Sequence, residues 1–169
     1  MARCRLLPAV GAVTIMILAG CTVSTGGSSS PPPAGSATQP AGATYNLPAG
    51  VTTLTVNNQV GTTQVTAASG AGQIHVVQRP VGKPTAYRKT ASSAATIGAS
   101  CPGGIHFGDC HMDYQIQLPP GTALTVTGDA GRVILHGGLT RAQVTTDAGQ
   151  VSGTGLGRGS FTVVTKVGE

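Results

Sequence analysis

The sequence predicts an all-β protein: a right-handed β-solenoid or β-helix-like stack of short strands, with a β-sandwich of repeated hairpins as the other arrangement. Three observations carry this. Thr, Val and Gly dominate the second half of the chain, and they suit strands and turns rather than helices. Apolar residues alternate with polar ones at Leu54/Val56, Ile74/Val76, Ile116/Leu118, Leu124/Val126 and Val133/Leu135, the period of a half-buried strand. Short Gly-centred units recur, the last of them 18 residues apart. Long amphipathic helices, which a kinase, a polymerase or a dinucleotide-binding enzyme would need, are missing from the pattern.

Residues 1–21 read as an export signal. Arg3 and Arg5 form a positive start, and Leu6 to Leu18 is an apolar run broken by Pro8. It is shorter than the ~20 residues a membrane span needs. It ends in Leu18-Ala19-Gly20-Cys21, which resembles the lipobox of bacterial lipoproteins. That resemblance implies lipidation of Cys21 and anchorage to the extracytoplasmic face of the cell membrane. Each buried acyl methylene is worth ~0.8 kcal/mol, so two or three chains hold firmly. Removing the leader leaves 8 basic and 5 acidic residues, a net charge of +3. Arg79, Lys83, Arg88 and Lys89 form a loose basic cluster with only Tyr87 beside it, so no nucleic-acid partner is expected.

Residues 22–44 are Ser, Gly, Pro, Ala and Thr, including Ser28-Ser29-Ser30-Pro31-Pro32-Pro33. Such a stretch buries no core and is expected to stay a disordered tether. As a flexible coil it would reach ~25–30 Å.

Residues 45–169 form the expected all-β repeat domain. Gly70-Ala71-Gly72-Gln73-Ile74 is similar to Asp129-Ala130-Gly131-Arg132-Val133 and to Asp147-Ala148-Gly149-Gln150-Val151. Setting Gly131, Gly149 and Gly168 in register aligns Leu124/Val126 with Ala142/Val144 and Phe161/Val163. A single such unit cannot bury its apolar face, whereas a stack of them can. Stacking would bring Asp129 near Asp147. Calcium wants six or more oxygens, so these carboxylates are expected to support turns. The run from Arg79 to Gly104 lacks clean alternation and reads as a long excursion with one strand near Tyr87–Thr90. Ending at Val167-Gly168-Glu169, the last unit stops short of its second strand. The domain is thus expected to be truncated, or incomplete and covered by a partner at an exposed edge.

Four cysteines are present. Cys4 leaves with the leader and Cys21 is assigned to lipid. Cys101 and Cys110 remain, and an oxidising compartment favours a disulfide between them. A metal set of Cys101, His106, Cys110 and His111 has no standard zinc spacing, so no metal or other cofactor is expected. His75 and His136 fall on strands, on the outer face. The mature chain holds four Asp and one Glu, mostly in turns. No nucleophile elbow appears, so no catalytic residues are assigned and no enzyme is expected.

From about Leu47 onward the chain resembles the bacterial putative-adhesin domain family, a domain of unknown function common in actinobacterial envelope proteins. The carrying residues are Val56-Asn57-Asn58-Gln59-Val60-Gly61, the strand and turn Asp113-Tyr114-Gln115-Ile116-Gln117-Leu118-Pro119-Pro120-Gly121-Thr122, and the Asp-Ala-Gly-x-Val units. In those units the Asp precedes the glycine, whereas the family commonly has it following. The resemblance implies an all-β repeat fold and an envelope-exposed, non-catalytic binding domain. An envelope glycan or an envelope protein would be its partner. An envelope structural or sensory accessory protein is the alternative function.

Overall fold

The structure, a computed structural model, describes residues 36–39, 42–102 and 109–168. The leader, Cys21, most of the tether and His106 lie outside them. The described residues contain ten strands and no helix. In chain order these are β1 (Ser36–Gln39), β2 (Thr44–Asn46), β3 (Thr53–Ala67), β4 (His75–Val81), β5 (Thr85–Ala91), β6 (Ala94–Ser100), β7 (His111–Leu118), β8 (Ala123–Gly137), β9 (Arg141–Thr154) and β10 (Ser160–Val167).

The long strands β3, β8 and β9 lie side by side in parallel, with β10 parallel beyond β9. Leu124 pairs with Ala142 and Val126 with Val144, while Phe161 and Val163 fall beside the same two positions. The register read from Gly131, Gly149 and Gly168 is therefore the register of the fold. Repeats stack in parallel, as in a solenoid, and not as successive hairpins. The earliest rung differs from expectation. Gly61, not Gly72, stands beside Gly131, and Gly72 lies between β3 and β4. The similarity of 70–74 to the later units is local sequence without a place in the stack.

Each long strand passes through a corner at its glycine. Before it, Leu54, Val56, Leu124, Val126, Ala142 and Val144 point inward; after it, Val65, Val133 and Leu135 do so. The sheet thus folds into two faces with one core between them. Full burial of a Leu or Val side chain contributes roughly 1.5–3 kcal/mol, and the parallel register brings such residues into contact from coil to coil. Asn58 is buried just before the first corner. Its Nδ2 donates to Thr63 Oγ1 (3.2 Å) and to the Met112 carbonyl (2.9 Å), tying both sides of the bend to the next coil.

Strands β6 and β7 form the coil on the other side of β3, β6 beside its first half and β7 beside its second. Beyond them the sheet turns antiparallel: β5 and β1 continue from β6, and β4 and β2 from β7. The run from Arg79 to Gly104 therefore holds β5, β6 and the end of β4, more than the one strand expected. The inward residues of the hairpin include Ala86, Ala95 and Ala99. Small side chains there hide the alternation that larger ones would display. The structure also places Ser36–Gln39 in a strand against β5, inside the stretch expected to be a disordered tether. Backbone pairing to an open edge needs no apolar side chain.

Candidate binding groove

The corner glycines line up across the stack, with Gly61 beside Gly131, Gly131 beside Gly149, and Gly168 next. A Cβ on Gly131 would strike the Gly61 carbonyl oxygen, one on Gly149 that of Gly131, and one on Gly168 that of Gly149. Adjacent coils can approach at this bend only because the side chain is missing. Val60 and Ala130, just before the glycines, are buried but stand apart from the main core. Glycines and small apolar side chains thus form the floor of a groove of about 740 Å³ that crosses the coils.

One wall comes from the residues after Gly61, Gly131 and Gly149. Thr62 lies beside Arg132 and Arg132 beside Gln150. On the β7 side stand His111 and Asp113. Asp113 Oδ1 accepts the Thr62 backbone N–H at 2.8 Å, and its Oδ2 lies 3.9 Å from His111 Nε2. The Asp113 carboxylate is therefore engaged within the fold. Arg132 is exposed and has no ion-pair partner among the described residues.

Cys101 and Cys110 are joined, with their Cα atoms 5.9 Å apart. Extending the β3 registers puts Cys101 level with Val60 and Met112 level with Gly61. Cys101 and Met112 thus stand at the corner where the other coils have glycine, and the disulfide ties Cys101 to Cys110 beside it. The Cys101 N–H donates to Gln59 Oε1 at 2.7 Å, fixing Cys101 to β3. The two sulfurs are bonded to each other and offer no thiolate. Among the described residues no group of three or more His, Cys, Asp or Glu is placed to hold a metal.

Asp129 and Asp147 fall side by side, as stacking requires, on the outer surface before the corner. Asp147 Oδ1 meets Lys166 Nζ at 2.9 Å on β10. This corrects the turn-supporting role expected of Asp147; the carboxylate that serves a bend is Asp113. His75 and His136 sit on the outer faces of β4 and β8, with Nδ1 2.7 Å from Asn46 Oδ1 and Thr154 Oγ1 respectively.

The two ends of the stack differ. At the β5 and β2 end, the Arg88 guanidinium lies over the Tyr45 ring, 4.8 Å from its centroid. Tyr45 OH accepts from Gln78 Nε2 at 3.0 Å. Burial pushes the Tyr45 hydroxyl pKa up to about 12, against an opposing pull from Arg88. Tyr87 lies over Gly98 and accepts from Asn57 Nδ2 at 3.0 Å. At the β10 end, Val163, Val164 and Val167 are 52, 48 and 71% exposed.

The groove residues Thr62, Arg132 and Gln150 escaped the sequence reading. The signal that finds them is the aligned glycine register carried one residue further, which requires Gly61 as its first member.

No known family model matches the chain, and no curated protein matches it. The fold is similar to the crystal structure of a putative cell adhesion protein from Clostridium sporogenes. The match has a TM-score of 0.51 at 14% identity and covers 74% of this chain and 68% of that one. At this identity the likeness establishes a shared all-β fold.

Proposed function

We propose that this chain is a membrane-anchored envelope lipoprotein whose all-β domain is a non-catalytic, adhesin-like binding module. The observation that carries the binding role is the groove of about 740 Å³ across the coils, walled by polar side chains of successive repeats. Its size falls within the range of ligand sites. The structural likeness to a putative cell adhesion protein supports the same reading. Anchorage rests on Leu18-Ala19-Gly20-Cys21.

Two measurements test it. Lipid labelling of the full chain should disappear in Cys21→Ala; persistent labelling would remove the anchor. Full-length protein in detergent micelles should sediment with isolated cell-envelope material; a failure to sediment would remove the binding role.

A second reading has its own observation. The exposed Val163, Val164 and Val167 lie on β10, which pairs only with β9 among the described strands. An envelope accessory protein would cover that edge with a partner protein. Cross-linking from Lys166 to another envelope protein, with no groove ligand found, would favour it.

A further inference from the structure

We infer that the glycine-floored groove binds an extended, carboxylate-bearing glycan, with Arg132 as its anion-recognising residue. This rests on the binding role proposed above and names the class of ligand.

The argument starts from what the groove has left to offer. Asp113 is committed to the Thr62 N–H and faces His111. Arg132, midway along the wall, has no ion-pair partner among the described residues. Beside it are the Thr62 hydroxyl and the Gln150 amide, one coil away on either side. The groove thus holds one carboxylate, Asp113, held on the β7 side by the Thr62 N–H, and one cation without an ion-pair partner among the described residues, Arg132, flanked by neutral groups that both donate and accept. A guanidinium presents a planar fork that matches a carboxylate with two parallel hydrogen bonds. The flanking hydroxyl and amide match sugar hydroxyls.

The direction of the groove favours a glycan over a peptide. It runs across the strands, and β3, β8 and β9, which make most of its floor, are each paired with neighbours on both sides; β10, at its far end, keeps one open edge. An extended peptide gains affinity by adding its backbone to a free strand edge; such a peptide would lie along β10, parallel to the strands, and not along the groove that crosses β3, β8 and β9. A ligand here must bind through substituents along its length. Neighbouring strands lie ~4.8 Å apart, so the wall presents a polar side chain at that interval to a polymer lying along it.

The test uses the full chain in detergent micelles, with oligogalacturonate as the anionic glycan, dextran as the neutral one and a poly-glutamate peptide as the acidic peptide. Oligogalacturonate should bind, and Arg132→Gln should weaken it about tenfold or more. Arg158→Gln removes the same charge outside the groove and should leave binding unchanged. Unaltered melting temperatures would show both variants folded. Equal losses in the two variants would reduce the effect to net charge and overturn the inference. So would binding of poly-glutamate, or of dextran, with none of oligogalacturonate. If wild-type protein sediments with envelope material but binds no oligogalacturonate, this inference falls while the binding role stands. If it does neither, both fall.

Discussion

Gly131 lies directly against the carbonyl oxygen of Gly61, so close that a Cβ would collide with it. Its φ of +141° is also one that side-chain-bearing residues rarely adopt. Two independent constraints meet at one residue, and both come from stacking coils around a corner. Gly131→Ala should therefore destabilise the domain by about 2 kcal/mol or more, since backbone strain and overpacking each cost of order 1–3 kcal/mol. Gly72 has neither constraint: its φ is ordinary and a Cβ would meet open space. Gly72→Ala should be neutral or stabilise by about 0.4–1 kcal/mol through the unfolded chain. Thermal melts of the two variants, followed by circular dichroism, check this contrast. Equal melting temperatures would mean the corner is not tightly packed.

The Cys101–Cys110 bridge closes a short covalent loop, a sequence separation of 9 residues. On the chain-entropy account such a loop contributes roughly 2–3 kcal/mol. Replacing both cysteines by serine should lower stability by that amount in a denaturant titration. The Gln59–Cys101 hydrogen bond holds buried Cys101 against β3, so Gln59→Ala, which leaves that N–H unpaired, should cost about 1–3 kcal/mol further. No further loss would show that the disulfide alone positions Cys101.

Asp147 and Lys166 join the last two strands on the outer surface. The Lys166 pKa is raised, first by the hydrogen bond to Asp147 and then by its charge, with a smaller contribution from Asp129. A raised lysine pKa means that the pair contributes fully below the ordinary lysine value of 10.5 and is lost as pH rises through the folded-state value. Because the pair is exposed, solvent and salt screen it. Lys166→Met should barely move the melting temperature at neutral pH and high salt. A nuclear magnetic resonance titration of the Lys166 side chain should give a midpoint above 10.5, returning toward it in Asp147→Asn.

The β10 edge exposes valines on both sides of the strand, Val163 from the inward row and Val164 from the outward one. Unpaired apolar edges favour association. Val163→Thr with Val164→Lys should leave the melting temperature within about 0.5 kcal/mol of wild type in stability terms. It should also reduce concentration-dependent assembly in light scattering. Unchanged scattering would show that this edge drives no association.

Legibility in the sequence followed side-chain size. Where repeats carry Leu and Val at alternate positions, as at Leu124/Val126 and Val133/Leu135, the strands could be read. Where the inward row is mostly alanine, as at Ala86, Ala95 and Ala99, β5 was legible only as a strand near Tyr87–Thr90 and β6 disappeared into an apparent loop. The glycine register of the later coils, Gly131, Gly149 and Gly168, was legible at spacings of 18 and 19 residues. Its first member was not, because Gly61 and Gly131 are separated by 70 residues, a length of chain that holds β4, β5, β6 and β7.

Local chemistry determined the strands, the corner glycines and the pairing of two cysteines nine residues apart, because each depends on neighbours in sequence. The partners of those elements depended on distance in space. Only the stack decided that Gly61 opens the glycine row, that Asp147 meets Lys166 rather than supporting a turn, and that Thr62, Arg132 and Gln150 share one wall. Side chains from residues far apart converge when parallel coils repeat the same bend. That convergence is set by backbone register across coils, which no short window of sequence contains.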